Sequence, residues 1–277
     1  MITKYKTIGN TSAELLLQLH EKDSTFFTIQ DAAHLLQDKK VASTRRLLAD
    51  MVRRGLLMRL RDGLYHIIPY ESDSYNYFPN WHVAAHYLTG ATPYYIGYYS
   101  AMVLHDLTTQ PSFTEQIVVS KPIQPTQQVS KGVSFQFIWH NPQHFFGITQ
   151  KWVENNHKIS CSDLEKTLLD GAFKPHYVCG VVELGKALYK TKHILNETVF
   201  LEYVKRFESD ASIRRLGFLM EALGILPQIV SELHQKLPKT ATYVALDTGL
   251  PKIGRSNSRW GIVLNVDLET IQSAIFT

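Results

Sequence analysis

Residues 25–69 constrain this chain more than any other stretch. Two short helical patterns, the second rich in arginine, run directly into two apolar segments joined by Asp62-Gly63. The first helix is expected from Ile29 to Gln37, with Thr28 as N-cap and Asp31 three residues on, a pair that satisfies orphan amides and suits the helix dipole. Ile29, Ala32, Ala33, Leu35 and Leu36 form its apolar face. A polar turn, Asp38-Lys39-Lys40, leads to a second helix from about Ser43 to Arg54, where Leu47, Leu48, Met51 and Val52 recur at helical spacing. Arg45, Arg46, Ala49, Asp50 and Arg53 fall on the opposite arc. Gly55 stands where a left-handed residue closes a helix. Asp-Gly between Leu56–Leu60 and Leu64–Ile68 is a hairpin signal, because the tight turn demands positive φ, and Pro69 ends the second strand. Helix, helix and hairpin in this order predict a winged helix-turn-helix, with the hairpin as its wing.

The charge is local. Between Lys39 and Arg61 eight basic residues face one acid, Asp50, whereas the 277-residue chain has a net charge of only +4. A basic stripe confined to the second helix and wing is the footprint expected for a phosphate backbone. The residues expected to touch double-stranded DNA are Lys39, Lys40, Ser43, Thr44, Arg45, Arg46, Arg53, Arg59 and Arg61. Arg45 and Arg46 are placed for the major groove, Arg59 and Arg61 for phosphates or the minor groove. The competing readings are a solvated arginine face, a protein-interaction winged helix and an RNA-binding module.

With 44% hydrophobic residues the chain has material for two packed domains. No stretch approaches the roughly 18–20 apolar residues that span a bilayer. The short apolar segment Ala13–Leu19 is interrupted by Glu14 and Gln18, so it reads as a first helix of the DNA-binding domain and not as a signal peptide. Cys161 and Cys179 form no C-x-x-C and read as two buried thiols. A cytoplasmic protein is expected.

Residues 1–70 thus form the expected winged helix, 71–78 a polar linker, and 79–277 a second domain. That domain opens with helical patterns at Trp81–Leu88 and Gly97–Leu107, followed by strands at Glu115–Ser120, Val133–His140 and near His144–Gln150. Helices then dominate: one capped by Ser162 with Glu165 at its third position, then Cys179–Lys190, Glu197–Phe207, Ala211–Leu223 and Pro227–Lys236. Strands at Thr242–Asp247 and Trp260–Asp267 flank a loop from Thr248 to Ser258. This order predicts an α+β domain, not a doubly wound sheet.

Catalytic signatures are lacking. His82 and His86 share a helical face, but no Glu follows His82 as in the zinc motif H-E-x-x-H, and no metal site is expected. Neither phosphate-binding glycine signature occurs, Ser100 and Ser120 lack a nucleophile context, and Asp163 and Glu165 read as helix-capping acids. No catalytic residue and no cofactor are expected. Lys252, Arg255 and Arg259, interleaved with Ser256, Asn257 and Ser258, offer donors for a partner or for DNA, or else form a solvated basic loop.

Four segments resemble the AbiEi antitoxins, the regulator half of bacterial type IV toxin–antitoxin and abortive-infection systems. They are RGLLMRLRDGLYHIIP at the end of the winged helix, YYSAMVLHDLT at Tyr98–Thr108, SDLEKTLLDGAFKP at Ser162–Pro175, and RRLGFLMEALGI at Arg214–Ile225 closed by NSRWGIVLNVD at Asn257–Asp267. One departure is Glu165-Lys166, where the family more usually carries Glu-Arg; lysine keeps the charge but loses the planar fork. The resemblance implies a winged helix that binds inverted repeats in its own promoter, so a transcriptional repressor, and a second domain that neutralises a nucleotidyltransferase-like toxin or acts on its cellular target. It implies no membrane association, and it leaves the oligomeric state open. The rival reading is an effector-sensing regulator in which Trp81, Tyr87, Tyr94, Tyr95, Tyr98, Tyr99 and Trp139 line a small-molecule pocket; an enzyme with an appended DNA-binding domain is a third.

Overall fold

The computed structural model describes residues 6–38, 41–154, 157–237 and 242–276. Its architecture is mixed α+β, in two compact units: residues up to Ala91 with Val129–Val133, and Thr92–Gln128 with Ser134 onward.

In the first unit the elements are α1 (Asn10–Glu21), β1 (Phe26–Thr28), α2 (Ile29–Leu35), α3 (Val41–Arg53), β2 (Leu57–Arg61), β3 (Leu64–Ile67) and α4 (Trp81–Thr89). The strands form an antiparallel sheet in the order β1-β3-β2, consistent with a winged helix-turn-helix. The Thr28 hydroxyl accepts the Asp31 amide at 3.2 Å and the Asp31 carboxylate accepts the Thr28 amide at 2.7 Å, so both orphan donors are satisfied. Gly55, at φ 75°, closes α3: its amide meets the Val52 carbonyl, and the Leu56 amide meets that of Met51, each at 3.0 Å. This is the two-bond Schellman arrangement. Leu15, Leu19, Phe27, Ile29, Leu48, Met51 and Tyr65 pack as one core beneath the two helices.

The unit continues past the expected linker. α4 belongs to it, and Tyr87 stacks on Phe26 with ring centroids 4.3 Å apart. The division therefore falls at Ala91 and not at 71–78, because residues that read as the start of a second domain spend their apolar face on the first.

The second unit carries a helical layer and most of a six-stranded mixed sheet, of which Val129, Ser130 and Val133 group with the first unit. Its strands are β4 (Tyr94–Ile96), β5 (Thr114–Val119), β6 (Gln127–Ser130), β7 (Val133–Trp139), β8 (Ile148–Glu154) and β9 (His157–Ser162), in the order β6-β7-β5-β4-β9-β8. Strands β5 and β7 are parallel, as are β4 and β9, while β4–β5 and β8–β9 are antiparallel. The helices are α5 (Tyr98–Leu104), α6 (Leu164–Phe173), α7 (Val181–Thr191), α8 (Glu197–Phe207), α9 (Asp210–Ala222), α10 (Pro227–Gln235) and α11 (Leu268–Ala274). A small sheet of β10 (Val244–Ala245), β11 (Arg255–Asn257) and β12 (Ile262–Leu264) lies near the end.

Three local expectations are corrected. Asp163, not Ser162, caps α6: its carboxylate accepts the Lys166 amide at 2.9 Å, while Ser162 ends β9 and its hydroxyl bonds that of Thr167. The segment 142–144 is a 3-10 turn, so the strand expected near His144 begins at Ile148. Cys161 is buried, its thiol pushed up to about 12 by burial, but Cys179 is exposed. Among the described residues no helix is long and apolar enough to cross a membrane.

Candidate nucleic-acid interface

The first unit places one face of α3 and one edge of the wing in solvent. Thr44, Leu48 and Met51 anchor α3 in the core, which turns Ser43, Arg45, Arg46, Ala49 and Arg53 outward. Along β2, Leu60 is buried while Arg59 and Arg61 are exposed, with a register shift against β3 between the two arginines. The wing is tied down at its tip, where the Gly63 carbonyl accepts the Ile29 amide of α2 at 3.0 Å.

The expected contact residues separate into groups. Arg45, Arg46, Arg59 and Arg61 are exposed, and among the described residues no hydrogen-bond or ion-pair partner holds their guanidiniums. Arg53 is exposed but paired with Asp50, whose carboxyl is held below the usual range chiefly by that hydrogen bond. Arg54 meets the same carboxylate at 2.8 Å and reaches the Thr7 carbonyl and the Ser12 hydroxyl, which makes it a staple to α1. Thr44 does not face solvent: it is buried, and its hydroxyl and amide both bond Asp38, at 2.6 and 3.0 Å. Ser43 is exposed with its hydroxyl also on Asp38. Lys39 and Lys40 lie outside the described residues.

The late basic segment is only partly free. Arg255–Asn257 forms a strand instead of a loop, Lys252 bonds the Tyr243 carbonyl, and Arg259 meets Glu221 at 3.0 Å. The other Glu221 oxygen accepts the Trp260 indole N–H at 2.7 Å, so Arg259 helps hold a fully buried ring. Arg255 is exposed, and among the described residues its guanidinium has no side-chain partner.

The aromatic residues expected to line an effector pocket fall in different environments. Tyr95 and Tyr98 are completely buried, Tyr99 is buried, Trp139 is exposed, and Trp81 and Tyr87 belong to the other unit. Tyr95 and Tyr98 instead help form a buried polar cluster around Lys166, which sequence reasoning left open. Lys166 pairs with Asp170 and donates to the Tyr95 hydroxyl at 3.0 Å, and Tyr95 donates in turn to Asp170 at 2.9 Å. His140 Nε2 and the Tyr98 hydroxyl share a hydrogen bond of 2.7 Å. Burial pushes the Lys166 ammonium down and the Asp170 carboxyl up, each opposed by the other's charge, and holds His140 neutral with a pKa lowered to about 2. The rings of Phe146 and Phe207 cover the ammonium at 5.3 and 5.0 Å. The cluster is enclosed, and it joins α6 to β4, α5 and His140, the residue that follows β7. Arg215 plays a comparable internal role, bonding the Leu246 and Ala172 carbonyls at 3.0 and 2.9 Å with its pKa lowered to about 10 by burial. Among the described residues no group of three or more His, Cys, Asp or Glu side chains is arranged to hold a metal ion.

Neither a family model nor a curated protein matches the chain. Its fold is similar to the crystal structure of the RV2827C protein from Mycobacterium tuberculosis, with a TM-score of 0.71 and 14% sequence identity over 99% of this chain and 98% of that one.

Proposed function

We propose that this protein is a DNA-binding antitoxin and autorepressor that engages inverted repeats in its own promoter through α3 and the wing. The observation that carries the reading is the set of exposed arginines Arg45, Arg46, Arg59 and Arg61 on the two elements that a winged helix presents to a duplex. Four exposed guanidiniums without a carboxylate partner are available to phosphate. The second unit, whose α5, α6 and α9 segments resemble the AbiEi antitoxins, then neutralises a nucleotidyltransferase-like toxin. The reading is of a binding protein and not of an enzyme.

The test uses the full chain and the triple variant Arg45→Ala/Arg46→Ala/Arg61→Ala, with circular dichroism to establish folding. The variant should lose binding to the promoter duplex while still protecting cells that co-express the toxin encoded beside it. Undiminished promoter binding by the folded variant would sink the assignment of the interface, and loss of protection with binding intact would invert the division of labour.

A further inference from the structure

A second concentration of positive charge lies in the second unit, where the end of α7 faces the segment after α5. A cleft of about 470 Å³ opens there between Lys186, Lys190, Lys192 and His193 on one side and Thr108, Thr109 and Gln110 on the other. We propose that it binds a nucleoside polyphosphate, with the phosphates on the lysines and the base against the apolar floor of Leu107 and Ile275.

Residues 186–193 contain three lysines and a histidine and no acid. Glu183, which also lines the cleft, offsets one of them, meeting Lys186 at 2.9 Å. Lys186 and Lys190 stand four residues apart on α7, a like-charge spacing that destabilises a helix unless an anion lies between. The helix dipole favours cations in the last turn of α7, which accounts for Lys190 and Lys192 but not for Lys186, more than one turn before the end.

The cations are held in place. Lys190 donates to the Asp106 carbonyl, and the Lys192 ammonium stands 3.5 Å from the Tyr189 ring centroid. On the facing wall the Tyr99 hydroxyl bonds that of Thr108 at 2.9 Å and donates to the Gln110 carbonyl at 3.1 Å, so neutral donors face the lysines from a fixed segment. Cations that are already positioned lose less freedom when an anion arrives. The volume is that of a small-molecule site, and a cleft walled on both sides suits a compact ligand better than a continuous strand. Three lysines against the single carboxylate of Glu183 leave the concavity a net positive field for an entering anion.

The inference is independent of the winged-helix reading, and the experiment keeps the two apart. Full-length protein is titrated by calorimetry with ATP, GTP, CTP, UTP and inorganic tripolyphosphate, in parallel with the variants Lys190→Gln/Lys192→Gln and Arg45→Ala/Arg61→Ala. Saturable binding of at least one nucleotide is expected, tighter than tripolyphosphate, weakened about tenfold or more by the lysine variant and unchanged by the arginine variant. The lysines are on the surface, and an unchanged melting temperature of the ligand-free variant establishes its fold. The proposal is overturned if no nucleotide binds at millimolar concentration, if binding survives the lysine variant, or if tripolyphosphate binds as tightly as every nucleotide. It is also overturned if the lysine variant loses affinity for duplex DNA and not for nucleotide.

Discussion

Asp38 accepts the hydroxyl and the amide of Thr44 with one carboxylate oxygen, at 2.6 and 3.0 Å, and so closes the first turn of α3 from the segment before it. Replacing it by alanine strips that turn of its acceptor and leaves the buried Thr44 hydroxyl unpaired. Asp38→Ala should destabilise the first unit by about 1–3 kcal/mol, read as a lower urea midpoint. A change within a few tenths of a kcal/mol would show that the cap is not what sets α3.

Arg45 and Arg61 should fail differently. On the proposed reading Arg45→Ala lowers operator affinity by roughly 1–3 kcal/mol and relaxes discrimination at one base position. Arg61→Ala should weaken all sequences alike and reduce the slope of log K against log salt by about one. Fluorescence anisotropy on promoter and scrambled duplexes across a salt series separates the two, and identical behaviour of both variants would contradict their placement.

Gly217 and Trp260 leave no space for a methyl group. A Cβ at Gly217 would lie 2.0 Å from the ring of Trp260, which is fully buried. Gly217→Ala should cost about 2 kcal/mol or more, since the ring has to leave its place. Adding Trp260→Phe should recover part of the loss, and near-ultraviolet circular dichroism would report the displaced indole.

Lys166 and Asp170 should show strong coupling. Lys166→Met leaves the buried Asp170 carboxylate without its cation and should destabilise by about 3–5 kcal/mol, as should Asp170→Leu through the stranded ammonium. The double variant should be much less destabilised than the sum of the two. Additive losses in denaturant titrations would mean that the pair is not a unit.

His66 supplies a pH dependence. Its ring is buried, bonds the Tyr77 hydroxyl at 2.9 Å, and has its pKa lowered from 6.5 to about 4 by burial. The unfolded chain therefore binds the proton first as pH falls. The stability that neutral His66 contributes is complete above pH 6.5 and is lost progressively between 6.5 and 4, to the extent of about 3 kcal/mol. His140, lowered to about 2, extends the loss in the same direction. His66→Gln should flatten the fall in urea midpoint between pH 7 and pH 4; a wild-type midpoint constant over that range would refute the assignment.

The winged helix was legible because its signals are local. The Thr28–Asp31 box, the glycine that closes α3 and the Asp62-Gly63 turn each act within a few residues, and each is where the pattern put it. The second unit hides its logic in contacts distant along the chain. Nothing local in the sequence marks Arg214 and Arg215 as internal, yet they are buried on carbonyls of residues that follow or precede them by 30 or more positions. Lys166 and Asp170 have the spacing of an exposed helical ion pair, and only the rings of Phe146 and Phe207 make them internal. Strand β8 has a largely exposed face pattern at the edge of its sheet, so it lacks the apolar alternation that announces a strand. The boundary at Ala91 was missed because the apolar face of α4 does not say which core it joins. Of the expected DNA contacts, exposure of the four arginines followed from helical and strand periodicity, whereas the burial of Thr44 depends on Asp38 across the turn.

With Thr44 turned inward, the outer side of α3 is slender: Ala42, Ser43 and Ala49 sit among Arg45 and Arg46. Short side chains let a helix backbone settle deep in a major groove about 12 Å wide, where alanine methyls meet the C5 methyl of thymine and arginines reach the O6 and N7 of guanine. On the proposed reading, the base edges that suit this face of the helix are therefore those of guanine and thymine.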